Sequence, residues 1–131
     1  MITHNVFLNI KPTVSAEAIT NAFRLLFQLQ NQLPGILRIT GGQCQFHERK
    51  GEGYFSHGLS IDFEDDDAYK TFFESDIALP AKTALINITV DGLEGIVGFD
   101  VGEFVQIANS ANPKYRIQAP RMRLTPPGAL F

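Results

Sequence analysis

Tryptophan is absent from this chain, cysteine occurs once, and no stretch approaches the roughly 20 apolar residues that a membrane-spanning helix needs. A single thiol, Cys44, excludes an intrachain disulfide and with it the disulfide-stapled secreted folds. The opening Met1-Ile2-Thr3-His4-Asn5 lacks the basic start and apolar run of a signal peptide, so a cytoplasmic protein with no membrane association is expected. Basic charge is scarce as well. Eleven Lys and Arg against 14 Asp and Glu leave a formal net charge of −3, which argues against nucleic acid as a partner. There is no glycine-rich phosphate loop, nucleophile elbow or CxxC, so no cofactor is expected.

What is present fits one domain of 131 residues, 44% of them hydrophobic. Its aromatic residues are 11 Phe and 3 Tyr. Phenylalanine needs no hydrogen-bond partner and suits a dry interior or an apolar pocket wall. Charge is unevenly spread: residues 1–101 carry a net −6 and residues 102–131 a net +3. That asymmetry suggests a basic tail able to fold back on its own domain or on a neighbouring subunit. With Pro113, Pro120, Pro126 and Pro127 and no strong period, residues 102–131 read as an extended arm, ordered only where it docks.

Along residues 1–101 the periodicity changes several times. Residues 2–10 alternate, with His4, Val6, Leu8 and Ile10 on one face, and read as a first strand ended by Lys11-Pro12. Ser15 is placed as an N-cap, and Ile19, Ala22, Phe23, Leu26 and Leu33 recur at helical spacing, which predicts an amphipathic helix over 16–33 stopped by Pro34-Gly35. A second strand is expected over Ile36–Cys44, with Gly41-Gly42 marking a bulge or a close backbone approach. The polar stretch 45–53, His47 included, reads as an exposed loop before a third strand over 54–64. Asp65-Asp66-Asp67 then opens a second helix, a place where carboxylates cap and complement the dipole without any need of a cation, with Tyr69, Phe72 and Phe73 as its apolar side. Residues 83–93 favour a strand by their β-branched content, a helix being the alternative, and Ile96–Val101 reads as a last strand. The order β-α-β-β-α-β is the ferredoxin-like plan. Its sheet has helices on one face only, and the other face would expose groups such as Phe7, a problem that a symmetric homodimer solves.

The sharpest clue to a site is His57. It shares one side of a strand with Phe55, Leu59, Ile61 and Phe63, where a polar group is tolerated only if partnered or functional. Its imidazole could act as a weak catalytic candidate, a general base, with His4 on a neighbouring strand as its partner. Both could equally be neutral core histidines bonded to backbone carbonyls. A metal held by His4, His57 and a carboxylate lacks any HxH or HxxxH spacing, so none is expected. On the tail, Tyr115, Arg116, Arg121 and Arg123 could meet an anion, although docking against a neighbouring subunit explains them better.

Taken together, His4-Asn5-Val6-Phe7, Leu33-Pro34-Gly35, Tyr54-Phe55-Ser56-His57 through Phe63-Glu64, and Phe99-Asp100-Val101 resemble the successive motifs of the stress-responsive dimeric α+β barrel (Dabb) family over residues 2–101. The resemblance implies a ferredoxin-like domain over 1–101 that pairs through its sheet, with 102–131 outside it. One branch, the plant olivetolic acid cyclase, closes a linear polyketide using a tyrosine of the second helix and the last histidine of a His-Pro-Ala-His motif. Those places here fall near Phe72 and on Leu79-Pro80-Ala81-Lys82, so that chemistry is not carried over, while His4 and His57 match histidines that line its pocket. The resemblance therefore implies a pocket drawn from His4, Phe23, His57, Leu59, Phe72 and Lys82, open to a small apolar or aromatic ligand. Lys82 could serve there as a cation or, if desolvated, as a lowered-pKa amine. Two other readings remain: a polyketide-cyclase-like small-molecule enzyme with His57 as base, and a structural stress protein that simply oligomerises.

Overall fold

The computed structural model describes residues 1–45, 55–102, 106–108, 115–117 and 122–124. The expected loop through His47 therefore lies outside the described residues, as does Arg121. Four antiparallel strands form the body: β1 (Ile2–Leu8), β2 (Ile36–Gln43), β3 (His57–Phe63) and β4 (Ile96–Gly102). They lie in the order β2-β3-β1-β4, with helices α1 (Ala16–Gln28), α2 (Asp66–Glu74) and α3 (Leu79–Asn87) making this a ferredoxin-like α+β fold.

Local chemistry accounts for most boundaries. Ser15 Oγ accepts from Ala18 N–H at the start of α1, and Asp65 Oδ1 accepts from Ala68 N–H at the start of α2, so the Asp65-Asp66-Asp67 run acts as a cap. The first helix is shorter than its periodicity predicts: after Gln28 it tightens into a 3-10 turn over Leu29–Asn31. The chain then reverses at Gly35, whose φ of 81° and contact with Ala68 leave no room for a side chain.

Residues 79–87 are helical, so the strand favoured by propensity over 83–93 gives way to the alternative. Pro80 sits in the first turn, where its missing N–H costs nothing. Ala81 and Leu85 are shut into the core against α1, and that burial outweighs β-branched preference. Only Thr89 keeps a strand-like contact, an isolated bridge to Ile10.

Beneath the helices the core is built from Val6 and Leu8 of β1, Leu59, Ile61 and Phe63 of β3, Leu26 of α1, Phe72 of α2 and Leu85 of α3. On β4 the buried side is Ile96, Gly98 and Asp100. Val97, Phe99 and Val101 lie on the opposite face of the sheet, in register with Phe7, Asn5 and Thr3. Phe7 is 38% exposed there and lies over Gly58, against whose position its ring carbons pack.

Beyond the body, the backbone of β7 (Met122–Leu124) pairs antiparallel with β4, adding a fifth strand at that edge. A separate two-stranded ribbon joins β5 (Gln106–Ala108) to β6 (Tyr115–Ile117). Tyr115 and Arg116 fall on β6, and Arg123 on β7 opposite Asp100 in register.

Candidate functional site

His4 and His57 both stand on the helix-facing side of the sheet, as alternation requires, but they do not meet. His4 pairs in register with Ile61, whereas His57 pairs with Leu8 four residues further along β1. Four residues of strand span roughly 13 Å. The sequence-predicted residues thus divide between two places, and His4 and His57 are not direct partners.

The first place is largely buried, with Asp100 reaching the wall of a small cavity beside Met1, Glu64 and Asp66. Asp100 of β4, 3% exposed, takes His4 Nδ1 at 2.5 Å on one carboxylate oxygen and the Tyr69 hydroxyl at 2.5 Å on the other. An ionised carboxylate only accepts, so His4 Nδ1–H and Tyr69 O–H both donate to it. The His4 ring, fully buried, stands edge-on to Phe73 at 5.3 Å between centroids. Phe72, also fully buried, packs on Phe63 and Phe73. Lys82 closes this region from α3. Its Nζ donates to Phe72 O at 3.0 Å and Phe73 O at 3.4 Å and lies 4.9 Å from the Phe72 ring centre. With only 7% of the residue exposed, desolvation lowers its pKa to about 8. The amine is engaged with the end of α2.

The second place is open. Between α1 and the far ends of β2 and β3 runs a groove of about 670 Å³, walled by Ile19, Phe23 and Phe27 and floored by Gly41 and Gly42, with His57 at its edge. Phe23 stacks obliquely with Phe27 at 6.1 Å and with His57 at 6.0 Å. Of the two roles expected for the β2 glycines, close approach is the one found at Gly41: a Cβ there would stand 2.9 Å from Phe23 Cε1 and 3.1 Å from Gly58 O. The register shift in β2 comes earlier, between Ile36 and Arg38. Leu59, 4% exposed, lies under Gly41 as part of the core and does not line the groove. His57 is held by Ser56, whose Oγ is 2.9 Å from Nδ1, and burial lowers the imidazole pKa from its usual 6.5.

Three residues that matter here escaped the sequence reading: Tyr69, Asp100 and Ser56. Asp100 carried a signal, because it repeats at period two with Ile96 and Gly98, so an acid at that position had to be buried whenever Ile96 was. Tyr69 could be placed on the apolar side of its helix but not given a partner. Ser56 had no signal of its own.

Among the described residues, no three His, Cys, Asp or Glu side chains come together as a metal site, and no helix is long and apolar enough to cross a membrane.

Comparison with known proteins agrees with this architecture. The family described as Stress responsive A/B Barrel Domain (Dabb) matches residues 2–101. A dimeric ferredoxin-like protein of unknown function from Jannaschia sp. CCS1 superposes with a TM-score of 0.69 at 24% identity, over 78% of this chain and 98% of that one. A hydroxynitrile lyase from Passiflora edulis gives 0.64 at 24% identity, over 76% and 89%. A cofactor-independent oxygenase from Streptomyces nogalater gives 0.56 at 17% identity, over 76% and 88%. At these identities the likeness establishes the fold alone. No curated protein sequence matches the chain.

Proposed function

The chain belongs to the stress-responsive A/B barrel (Dabb) family, and we propose that it acts as a homodimer that binds a small apolar or aromatic molecule in the groove beside His57. The observation that carries this reading is the groove's make-up. Three apolar side chains of α1 form a wall on a glycine floor, and His57, with Thr20, Arg24, Gln28, Asn31 and Gln43, supplies the polar contacts, a composition that suits a small-molecule site. His4, Phe72 and Lys82 are buried apart from the groove. The homodimer is supported by Phe7 on the open sheet face, by Val97, Phe99 and Val101 in the strand beside it, and by structural neighbours described as dimeric. The family match ends at residue 101, while the backbone of β7, beyond it, pairs with β4. A cytoplasmic setting fits the single cysteine.

Butylbenzene is a suitable first probe, because it tests the apolar wall without asking for any polar contact. Titrated into the full-length protein, it should raise the melting temperature and shift the NMR signals of Ile19, Phe23 and Phe27. Saturating probe with neither effect would refute the groove as a binding site.

A second reading, a small-molecule enzyme with His57 as its base, draws support from neighbours described as a lyase and an oxygenase. It requires turnover that disappears in a folded His57→Ala variant.

A further inference from the structure

Ser56 uses every polar atom it has. Its N–H donates to Leu8 O at 3.0 Å and its carbonyl accepts from Cys44 N–H at 2.8 Å. The hydroxyl oxygen accepts from Ile10 N–H at 3.1 Å and stands 2.9 Å from His57 Nδ1 and 3.5 Å from Leu8 O. A hydroxyl has one hydrogen to give. Leu8 O could accept it beside the Ser56 N–H, but only at 3.5 Å, long for an O–H···O bond, whereas His57 Nδ1 is nearer, at 2.9 Å. The hydrogen therefore goes to His57 Nδ1. That makes Nδ1 an acceptor and puts the ring hydrogen of the neutral imidazole on Nε2. Desolvation, which lowers the His57 pKa, keeps the ring in this uncharged form at neutral pH.

His57 thus brings to the groove an N–H donor without a charge. Resting on the reading of the groove as an apolar binding site, we propose that its ligand is an apolar molecule bearing an uncharged carbonyl group, whose oxygen accepts from His57 Nε2–H. Ser56 is the positioning residue that fixes the required tautomer. The neutral ring itself offers a carboxylate no compensating charge; the cation that lines the groove is Arg24, so a carboxylate would turn to it rather than to His57. A phenol would need the opposite tautomer in order to donate, and Ser56 would have to give up its bond to Nδ1.

Two measurements on the full-length protein test this. Long-range 1H–15N correlation spectra at pH 7.5 should show His57 protonated on Nε2 and bare on Nδ1. Ser56→Ala should populate the other tautomer, and Ser56→Thr, which keeps the hydroxyl, should restore the original. Protonation on Nδ1 in the unaltered protein, or no change in a folded Ser56→Ala, overturns the role of Ser56; the first result needs no variant to fold. The second measurement compares 4-butylacetophenone, 4-butylphenol, 4-butylbenzoate and butylbenzene by calorimetry. The ketone should bind about tenfold more tightly than butylbenzene, an advantage erased in His57→Phe. Equal binding of ketone and butylbenzene leaves the groove standing and removes the carbonyl; tighter binding of the phenol or the benzoate also removes it. Failure of all four probes removes both the groove and its ligand.

Discussion

His4 and Asp100 join two neighbouring strands of the sheet through their side chains as well as their backbones: Nδ1 and Oδ1 lie 2.5 Å apart across directly paired positions of β1 and β4. Tyr69 brings α2 to the same carboxylate. One acidic side chain thus ties two strands and a helix, with the His4 ring fully buried and Tyr69 half-buried.

Removing the Tyr69 hydroxyl should therefore cost stability without opening a cavity of any size. Tyr69→Phe is expected to lower the unfolding free energy by about 1–3 kcal/mol, the cost of a half-buried hydrogen bond to a carboxylate. Asp100→Ala, which removes both of these bonds at once, should cost more, about 3–5 kcal/mol. Urea unfolding of the two variants checks the order; a Tyr69→Phe protein as stable as its parent would mean that the bond contributes nothing.

Gly41→Ala probes the floor of the groove. The added methyl would press on Phe23 Cε1 and on the backbone oxygen of Gly58, and only the ring can yield. A displaced Phe23 should weaken butylbenzene binding and cost about 1–3 kcal/mol of overpacking strain. Unchanged affinity would show that Phe23 is not part of the binding wall.

Lys82 predicts a pH dependence whose sign is set by its lowered pKa. Below about pH 8 the amine is charged in both folded and unfolded chains, and the fold bears the desolvation of that charge. Between about 8 and the ordinary value of 10.5 the folded form gives up its proton first, so Lys82 makes the protein more stable as pH rises through this window. In Lys82→Met that contribution should vanish, and the difference between the two stability curves should change across pH 8–10.5. Parallel curves throughout the window would contradict the lowered pKa.

The open sheet face predicts its own disruption. Phe7→Glu places a charge on the face that is to meet its counterpart, with Phe99 two residues along in the neighbouring strand. Sedimentation should report a dimer for the parent chain and a monomer for Phe7→Glu, with far-UV circular dichroism unchanged. A parent chain that sediments as a monomer would remove the dimer from the proposal.

Much of the scaffold could be read directly. Alternation fixed which side of β1 and β3 faces inward, because a strand has only two faces, and it put His4 and His57 on the same one. Serine, aspartate and the Pro-Gly pair marked the helix boundaries, since their side chains and backbone angles act within a few residues. Local propensity failed where a tertiary contact outweighed it. The β-branched stretch around Ile86–Val90 became helix and turn because Leu85 and Ala81 had a core to enter.

Which polar groups meet was a different matter. Asp100 and Tyr69 are 31 residues apart, Asp100 and His4 are 96 apart, and nothing within either window of sequence links them. The chain by itself determined its strands, its two-layer plan and the inward placement of its histidines, all properties of short-range periodicity. Only the strand register and the docking of α2 decided that one imidazole would be locked to a buried carboxylate and the other left at the edge of a groove. Register is a choice among long-range pairings, made by the whole core at once, and no local pattern encodes it.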